Sequence, residues 1–299
     1  MFDFNSKMNI RTLFIIAIFL KIQSIRSSDP FYLIAHMVNN RASLDWSLKQ
    51  GANAIESDFK FNSSGYPSLV EHDHPCDCTC AKSRAHICHN GLKMKCGGPD
   101  ASRNIIEHVE DVASRNGIAL YYIDSKLDRE IGKLAGMHVI TFLDKHLFDR
   151  GYRGNVLISV AKMKTFDYIQ SAVMTAKNSV YNKRYYFTVD EENFDYKNVI
   201  SKLSRLTNRR IYATGNGSCS TSRYFTGFDV PIHGKIQGEH GLTIAWTIDS
   251  EFDMKQLINR GVNAILTNRV GQLKKVVQSL GLTLATSSTS IPLSIVNFS

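Results

Sequence analysis

In this chain of 299 residues, two pairs of charged side chains repeat one spacing, Glu56-Ser57-Asp58 and Asp124-Ser125-Lys126. On a β-strand, residues two apart point to the same face, so each pair presents its two groups together. Three carboxylates gathered in one place, Glu56, Asp58 and Asp124, repel one another and resist burial unless a cation neutralises them. Ligands that are all oxygen favour a hard ion, Mg²⁺ or Ca²⁺. A Mg²⁺ ion with few protein ligands completes its shell with water and phosphate oxygens, and Lys126 can counter the remaining phosphate charge. His36 and His72 supply two imidazoles, the side-chain type suited to serve as the general base and acid of phosphoryl transfer. Singly, each residue has a plainer reading. A strand-end histidine is commonly structural, Glu-x-Asp a solvated edge, Asp-x-Lys an ion pair, and Trp246 a core aromatic. The case for a phosphate-handling metal site therefore rests on where these residues fall together.

Positioning them is the task of a repeated strand–helix alternation. Runs of β-branched and aromatic residues at 32–37, 54–59, 118–123, 156–160, 185–189, 211–214, 243–248 and 264–267 are separated by helical patterns. That is the signature of parallel βα units, and eight of them predict an α/β fold, a (βα)₈ TIM barrel. In such barrels the chemistry sits at the C-terminal ends of the strands. His36 ends the first predicted strand, Glu56 and Asp58 the second, Asp124 and Lys126 the third, Trp246 and Asp249 the seventh, and Asn268 the eighth. An internal echo supports the barrel: Gln50-Gly51-Ala52-Asn53-Ala54-Ile55 resembles Arg260-Gly261-Val262-Asn263-Ala264-Ile265. Each glycine can cap a helix in the left-handed conformation before a buried strand. A doubly wound sheet is disfavoured, because no G-x-G-x-x-G or G-x-x-x-x-G-K-[ST] follows an early strand.

The ends of the chain and its cysteines bear on compartment. Residues 12–20 form an apolar run behind Lys7 and Arg11 and ahead of Gln23-Ser24-Ile25-Arg26-Ser27-Ser28, the pattern of a secretory signal peptide. We assign 1–27 to this leader, 28–283 to the barrel and 284–299 to a C-terminal tail. Six cysteines (Cys76, Cys78, Cys80, Cys88, Cys96 and Cys219) fit a secreted, extracellular protein and read as three disulfides, their pairing left open. A zinc site with His72, His74, His86 and His89 is the competing reading, but the C-x-x-C…C-x-x-C spacing is missing. The loop from 72 to 99 is too long and cysteine-rich to be a routine connection. Asn62, Asn216 and Asn297 begin N-glycosylation sequons. A composition of 43% hydrophobic and 21% charged residues excludes a disordered or collagen-like chain. The net charge of +9 calls for an anionic partner, and no recognisable nucleic-acid motif accompanies it.

Three segments, Ile34-Ala35-His36-Met37-Val38-Asn39, Gly51-Ala52-Asn53-Ala54-Ile55-Glu56-Ser57-Asp58 and His72-Asp73-His74-Pro75-Cys76-Asp77-Cys78, closely resemble the sphingomyelinase D / dermonecrotic-toxin phospholipase D family. Ile123-Asp124-Ser125-Lys126, Ala245-Trp246-Thr247-Ile248-Asp249 and Leu266-Thr267-Asn268 follow in the family's order, and the resemblance spans about 31 to 286. It implies a TIM barrel related to glycerophosphodiester phosphodiesterases, with one Mg²⁺ ion held by Glu56, Asp58 and Asp124. His36 and His72 become the catalytic pair, and Lys126 the phosphate contact. Asp77, Asp249 and Asn268 match residues that support the site, Trp246 matches a pocket aromatic, and Cys78–Cys219 matches a family disulfide. The implied reaction splits choline from sphingomyelin and lysophosphatidylcholine, the substrate's own hydroxyl attacking to give a cyclic phosphate. We expect peripheral contact with choline phospholipids and sphingolipids at a membrane surface, by a monomer.

Three departures from the family pattern stand out. Asp73 replaces a small glycine beside His72, the 76–96 loop carries extra cysteines, and the tail echoes an Ala-Thr-x-x-Asp-Asn-Pro-Trp motif only faintly. The altered tail argues against its plugging the bottom of the barrel. Two rival functions follow: a glycerophosphodiester phosphodiesterase with a small soluble substrate, and an inactive secreted homologue that only binds lipid.

Overall fold

The computed structural model describes residues 29–72, 104–127, 129–190, 195–216 and 224–296. The leader, Asp73, Asp77 and the cysteines Cys76, Cys78, Cys80, Cys88, Cys96 and Cys219 lie outside the described residues. All eight expected strands are present: β1 (Tyr32–Ala35), β2 (Ala54–Phe61), β4 (Leu120–Lys126), β5 (Asn155–Val160), β6 (Tyr185–Phe187), β7 (Tyr212–Gly215), β8 (Thr243–Trp246) and β9 (Ala264–Thr267). They pair in parallel in the order β6-β5-β4-β2-β1-β9-β8-β7. The ring closes between β6 and β7, where Phe187 N–H donates to Arg209 O and Ile211 N–H to Phe187 O, both at 3.0 Å. Helices fill the connections, among them α1 (Arg41–Gln50), α2 (Ile105–Ser114), α3 (Gly132–Leu143), α4 (Phe166–Ala176), α5 (Tyr196–Ser204), α6 (Asp229–Ile236), α7 (Glu251–Arg260) and α8 (Val270–Ser279). The architecture is a TIM barrel. No helix among the described residues is long and apolar enough to cross a membrane.

Strand periodicity divides the core in two. On β1, β2, β4 and β9, odd-numbered residues such as Leu33, Ile55, Tyr121, Ile123 and Ile265 face outward and pack with the helices. Even-numbered ones, including Tyr32, Ile34, Ala54, Leu120, Tyr122, Ala264 and Leu266, fill the barrel interior. Glu56, Asp58 and Asp124 continue these inward rows toward the C-terminal end, and Asp58 pairs in register with Asp124.

The sequence echo has a physical counterpart. Gly51 (φ 98°) and Gly261 (φ 113°) both end their helices in the left-handed conformation, where a Cβ is strained. The asparagine two residues on then ties its strand to a neighbour. Asn53 Oδ1 accepts from Leu33 N–H at 2.7 Å, and Asn263 Oδ1 accepts from Thr243 N–H at 3.0 Å.

Two features depart from the expectations. A short strand, β3 (Pro67–Val70), folds back antiparallel on β2, pairing Phe59 with Val70. The hairpin carries the chain to His72 at the mouth, with Glu71 N–H on Asp58 O at 2.9 Å. The tail, moreover, does close the bottom of the barrel. Ala285 and Ile291 are buried in the interior cluster. Asn53 Nδ2 donates to Ala285 O (2.8 Å), Asn155 Nδ2 to Thr289 O (3.0 Å) and Tyr186 OH to Ile291 O (2.8 Å). Fully buried Arg210 donates to the carbonyls of Thr207, Glu239 and Val296. Closure thus depends on backbone carbonyls and on small or aliphatic side chains, and so tolerates the loss of most of the motif's side chains.

Candidate active site

The segment after β1 is stitched to β2, and this builds the site. His36 N–H continues the ladder to Thr267 O at 3.1 Å. Met37 then adopts φ 50°, a left-handed conformation rare for a side chain of its size. That turn aims its N–H at Glu56 Oε2, at 2.6 Å. Val38 N–H donates to Glu56 O at 2.7 Å, and Ser57 Oγ donates to Val38 O at 2.6 Å. With its single proton so used, Ser57 Oγ accepts from His108 Nε2 at 3.2 Å. Asn39 grips Asp58 at both ends, its Nδ2 donating to Oδ2 (2.7 Å) and its Oδ1 accepting from the Asp58 N–H (2.9 Å).

Each of Glu56, Asp58 and Asp124 offers one carboxylate oxygen within 4.8 Å of the others. Glu56 and Asp58 are 2% and 1% exposed. Lys126 Nζ bridges the set, 2.6 Å from Asp124 Oδ2 and 3.0 Å from Asp58 Oδ1. Burial, followed by the charges of Asp58 and Asp124, pushes the Glu56 carboxyl well above the usual carboxylate range. Burial works the same way on Asp58, but Lys126, His72, Asn39 and His36 together outweigh it and hold that carboxyl low. Burial likewise disfavours the Lys126 ammonium, yet Asp124 and Asp58 prevail and raise its pKa. Asp124 Oδ1 and Asp58 Oδ1 are both buried, the first accepting no hydrogen bond among the described residues and the second facing only the Lys126 ammonium. Three clustered carboxylates with two such oxygens fit a hard divalent cation, which would relieve the repulsion that one lysine only partly offsets.

His36 and His72 stand across the mouth with ring centroids 6.3 Å apart and planes at 83°. A chain of hydrogen bonds orients His36. Asn268 Nδ2 and N–H donate to Asp249 at 3.0 and 2.8 Å, and Thr267 Oγ1 donates to the same carboxylate at 2.9 Å. The carboxylate only accepts, so the Asn268 amide must turn its oxygen toward His36 Nδ1, 3.0 Å away. Nδ1 therefore carries a proton, and His36 exchanges protons through Nε2.

Beside the carboxylates lies a wall that sequence reasoning found only in part. Asp190, just beyond β6, accepts from Tyr122 OH at 2.5 Å and from Trp246 Nε1. Burial first, then the nearby Asp124 charge, lifts the Asp190 pKa to about 7 against the pull of its two donors. Trp246 is set by β7, since a Cβ on Gly215 would sit 1.6 Å from the Trp246 carbonyl oxygen. The whole encloses a cavity of about 580 Å³ lined by both histidines, Glu56, Asp124, Lys126, Asp190 and Trp246. Of the foreseen residues, only Asp77 and the cysteines fall outside the description; His36, His72, Glu56, Asp58, Asp124, Lys126, Trp246, Asp249 and Asn268 converge on one mouth. Asn39 and Asp190 were not foreseen.

Residues 26–286 match the family described as Dermonecrotic toxin SPH. The chain belongs to the dermonecrotic toxin family. Among its relatives, Dermonecrotic toxin SpaSicTox-betaIIA1 of Sicarius patagonicus is 27% identical over 267 residues, covering 83% of this chain and 91% of the relative. Dermonecrotic toxin SPH of Ixodes scapularis is 27% identical over 290 residues, covering 88% and 74%. A putative glycerophosphoryl diester phosphodiesterase from Silicibacter pomeroyi superposes with a TM-score of 0.61 at 12% identity, over 89% of this chain and 99% of that one. An Oleispira antarctica phosphodiesterase, solved with sn-glycerol-3-phosphate, gives 0.54 at 14% identity, over 82% and 96%. These two likenesses establish the barrel fold.

Proposed function

We propose that this member of the dermonecrotic toxin family is a secreted, Mg²⁺-dependent phospholipase D that releases choline from sphingomyelin and lysophosphatidylcholine. One observation carries the reading: Glu56 and Asp124, two members of a carboxylate triad, line one cavity with two imidazoles whose rings stand 6.3 Å apart, room for a phosphodiester. Bound at Glu56, Asp58 and Asp124, Mg²⁺ supplies positive charge against the phosphoryl oxygens. His36, its Nδ1 proton held by Asn268, is suited to take the proton of the substrate's own hydroxyl at Nε2. The freed oxygen forms a bond to phosphorus as the phosphorus–oxygen bond to choline breaks. His72 donates the proton that the departing choline oxygen requires. The products are choline and a cyclic phosphate, with no water consumed, and proton exchange with solvent resets both imidazoles. Tethering the nucleophile to its target removes the entropy cost of bringing it there. Lys126 and the Asp190–Trp246 wall suit a substrate with an anionic phosphate and a cationic headgroup, the latter over the indole face.

Choline release and product mass, measured on sphingomyelin, lysophosphatidylcholine and glycerophosphocholine, test the reading. Both lipids should yield choline and a cyclic product, EDTA should stop the reaction, and Mg²⁺ should restore it. His36→Ala should lower turnover by about 10²–10⁴-fold. Undiminished turnover in Glu56→Gln, or a strong preference for glycerophosphocholine, would overturn it.

A further inference from the structure

Of the three glycosylation sequons, one sits in a tight turn away from the cavity. Asn62-Ser63-Ser64-Gly65-Tyr66 joins β2 to β3, and Asn62, Ser63, Ser64 and Tyr66 all stand in solvent. Gly65 (φ 72°) closes the turn with its N–H on Asn62 O at 2.8 Å, in the left-handed conformation that a side chain resists. The Asn62 amide is engaged at one end. Its Oδ1 accepts from Ser64 N–H and from Tyr66 N–H, both at 3.0 Å. Its Nδ2 and the Ser64 hydroxyl, the groups a sequon brings to glycan transfer, form no hydrogen bond among the described residues. Both Oδ1 contacts survive N-linkage, because a glycosylated amide keeps its carbonyl oxygen. Asn216 is placed otherwise. It is half-buried, its N–H donating to Trp246 O at 2.9 Å and its O accepting from Thr247 N–H at 2.8 Å, so a sugar there starts at the cavity wall. Asn297 lies outside the described residues. Beside the Asn62 turn is exposed apolar surface. The Tyr66 ring leans on His138, centroids 4.6 Å apart, yet Tyr66 stays 46% exposed, as does Leu134 on α3. The turn rests on that leucine, since a Cβ on Gly65 would fall 2.8 Å from Leu134 Cβ.

We propose that Asn62 is an N-glycosylation site whose first sugar lies against Tyr66 and Leu134. Asn62 N–H donates to Tyr66 O and Tyr66 N–H to Asn62 Oδ1, so a sugar on Nδ2 begins beside that ring. The donor is an oligosaccharide linked through diphosphate to a lipid. Nδ2 forms a bond to the anomeric carbon and loses one proton, as the bond from that carbon to the diphosphate oxygen breaks. The C–H face of the sugar then takes apolar surface out of water. None of residues 62–66 lines the cavity, so the glycan leaves the catalytic entrance clear. The proposal rests on the secreted reading above, since the secretory route supplies that donor.

The test expresses the full chain, its own leader included, in a eukaryotic host and collects the protein from the medium. Peptide mass spectrometry should place a glycan on Asn62, which Ser64→Thr keeps and Ser64→Ala loses. Trimming the glycan with an endoglycosidase to a single N-acetylglucosamine should leave a protein that melts roughly 2–4 °C above Ser64→Ala, the scale of one modest contact in a domain of this size. In a Tyr66→Ser background, the gap between the trimmed protein and its Ser64→Ala counterpart should shrink by more than half. A bare Asn62 in the secreted protein overturns the proposal. Equal melting with and without the sugar overturns the contact with Tyr66, as does a gap that Tyr66→Ser leaves intact. A chain held in the cytosol overturns the secreted reading first, and the glycan with it.

Discussion

His36 owes its working state to a residue that never reaches the substrate. Asp249 fixes the Asn268 amide, and the amide fixes the imidazole, so orientation passes through two hydrogen bonds before it reaches the reacting proton. Asn268→Ala should therefore lower kcat by about 10–100-fold with little change in KM, the scale of a misaligned catalytic group. Calorimetric titration with Mg²⁺ should show the triad still binding normally, which separates lost alignment from lost metal. At this scale legibility in the sequence depended on spacing. Glu56, Asp58, Asp124 and Lys126 could be read because strand alternation turns a two-residue spacing into a shared face. Asp190 could not. Its partners lie 68 residues before it (Tyr122) and 56 after it (Trp246), and only closure of the barrel joins them. Asn39 was hidden for a different reason, since an asparagine beside a strand end looks like an ordinary turn residue.

Among the elements, β2 and the segment after β1 act as one unit, with Ser57 as the rivet between them. Its hydroxyl serves Val38 O on one side and His108 Nε2 on the other, both out of water. Ser57→Ala strands both groups and should cost about 1–3 kcal/mol, seen as a lower urea midpoint. The same change loosens the strap bearing His36 and Met37, so kcat should fall as well. His108 allows a cleaner pH experiment. Burial alone holds its pKa down at about 4, against about 6.5 in an unfolded chain. Below pH 6.5 the unfolded state therefore takes up a proton that the folded state refuses, and stability from this residue drains away as pH falls toward 4. Asp190, raised by burial and by Asp124, works in the opposite direction, so wild-type stability alone does not isolate the histidine. The difference between wild type and His108→Gln does. The variant should gain on wild type by on the order of 3 kcal/mol between pH 7 and pH 4, measured by chemical denaturation. Elements were legible where apolar runs alternate with helical patterns. The β3 strand escaped because its four residues, Pro67–Val70, become a strand only by pairing with β2.

For the whole molecule, the two ends of the barrel are finished differently. The C-terminal ends of the strands open into the cavity, and residues 284–296 seal the other end. Deleting 285–299 removes three buried side chains (Ala285, Ile291 and Ser294) and one of the carbonyls that hold the Arg210 cation. The loss should be about 5 kcal/mol, or a Tm lower by roughly 10–20 °C, read by calorimetry. The tail's sequence concealed this role, because a seal made of backbone carbonyls leaves almost no side-chain signature. Its placement also has a practical use. A tether joined directly after Val296 leaves from the face opposite the opening, so a chain immobilised that way on a sensor chip would hold its catalytic entrance outward, ready to meet vesicles flowing past.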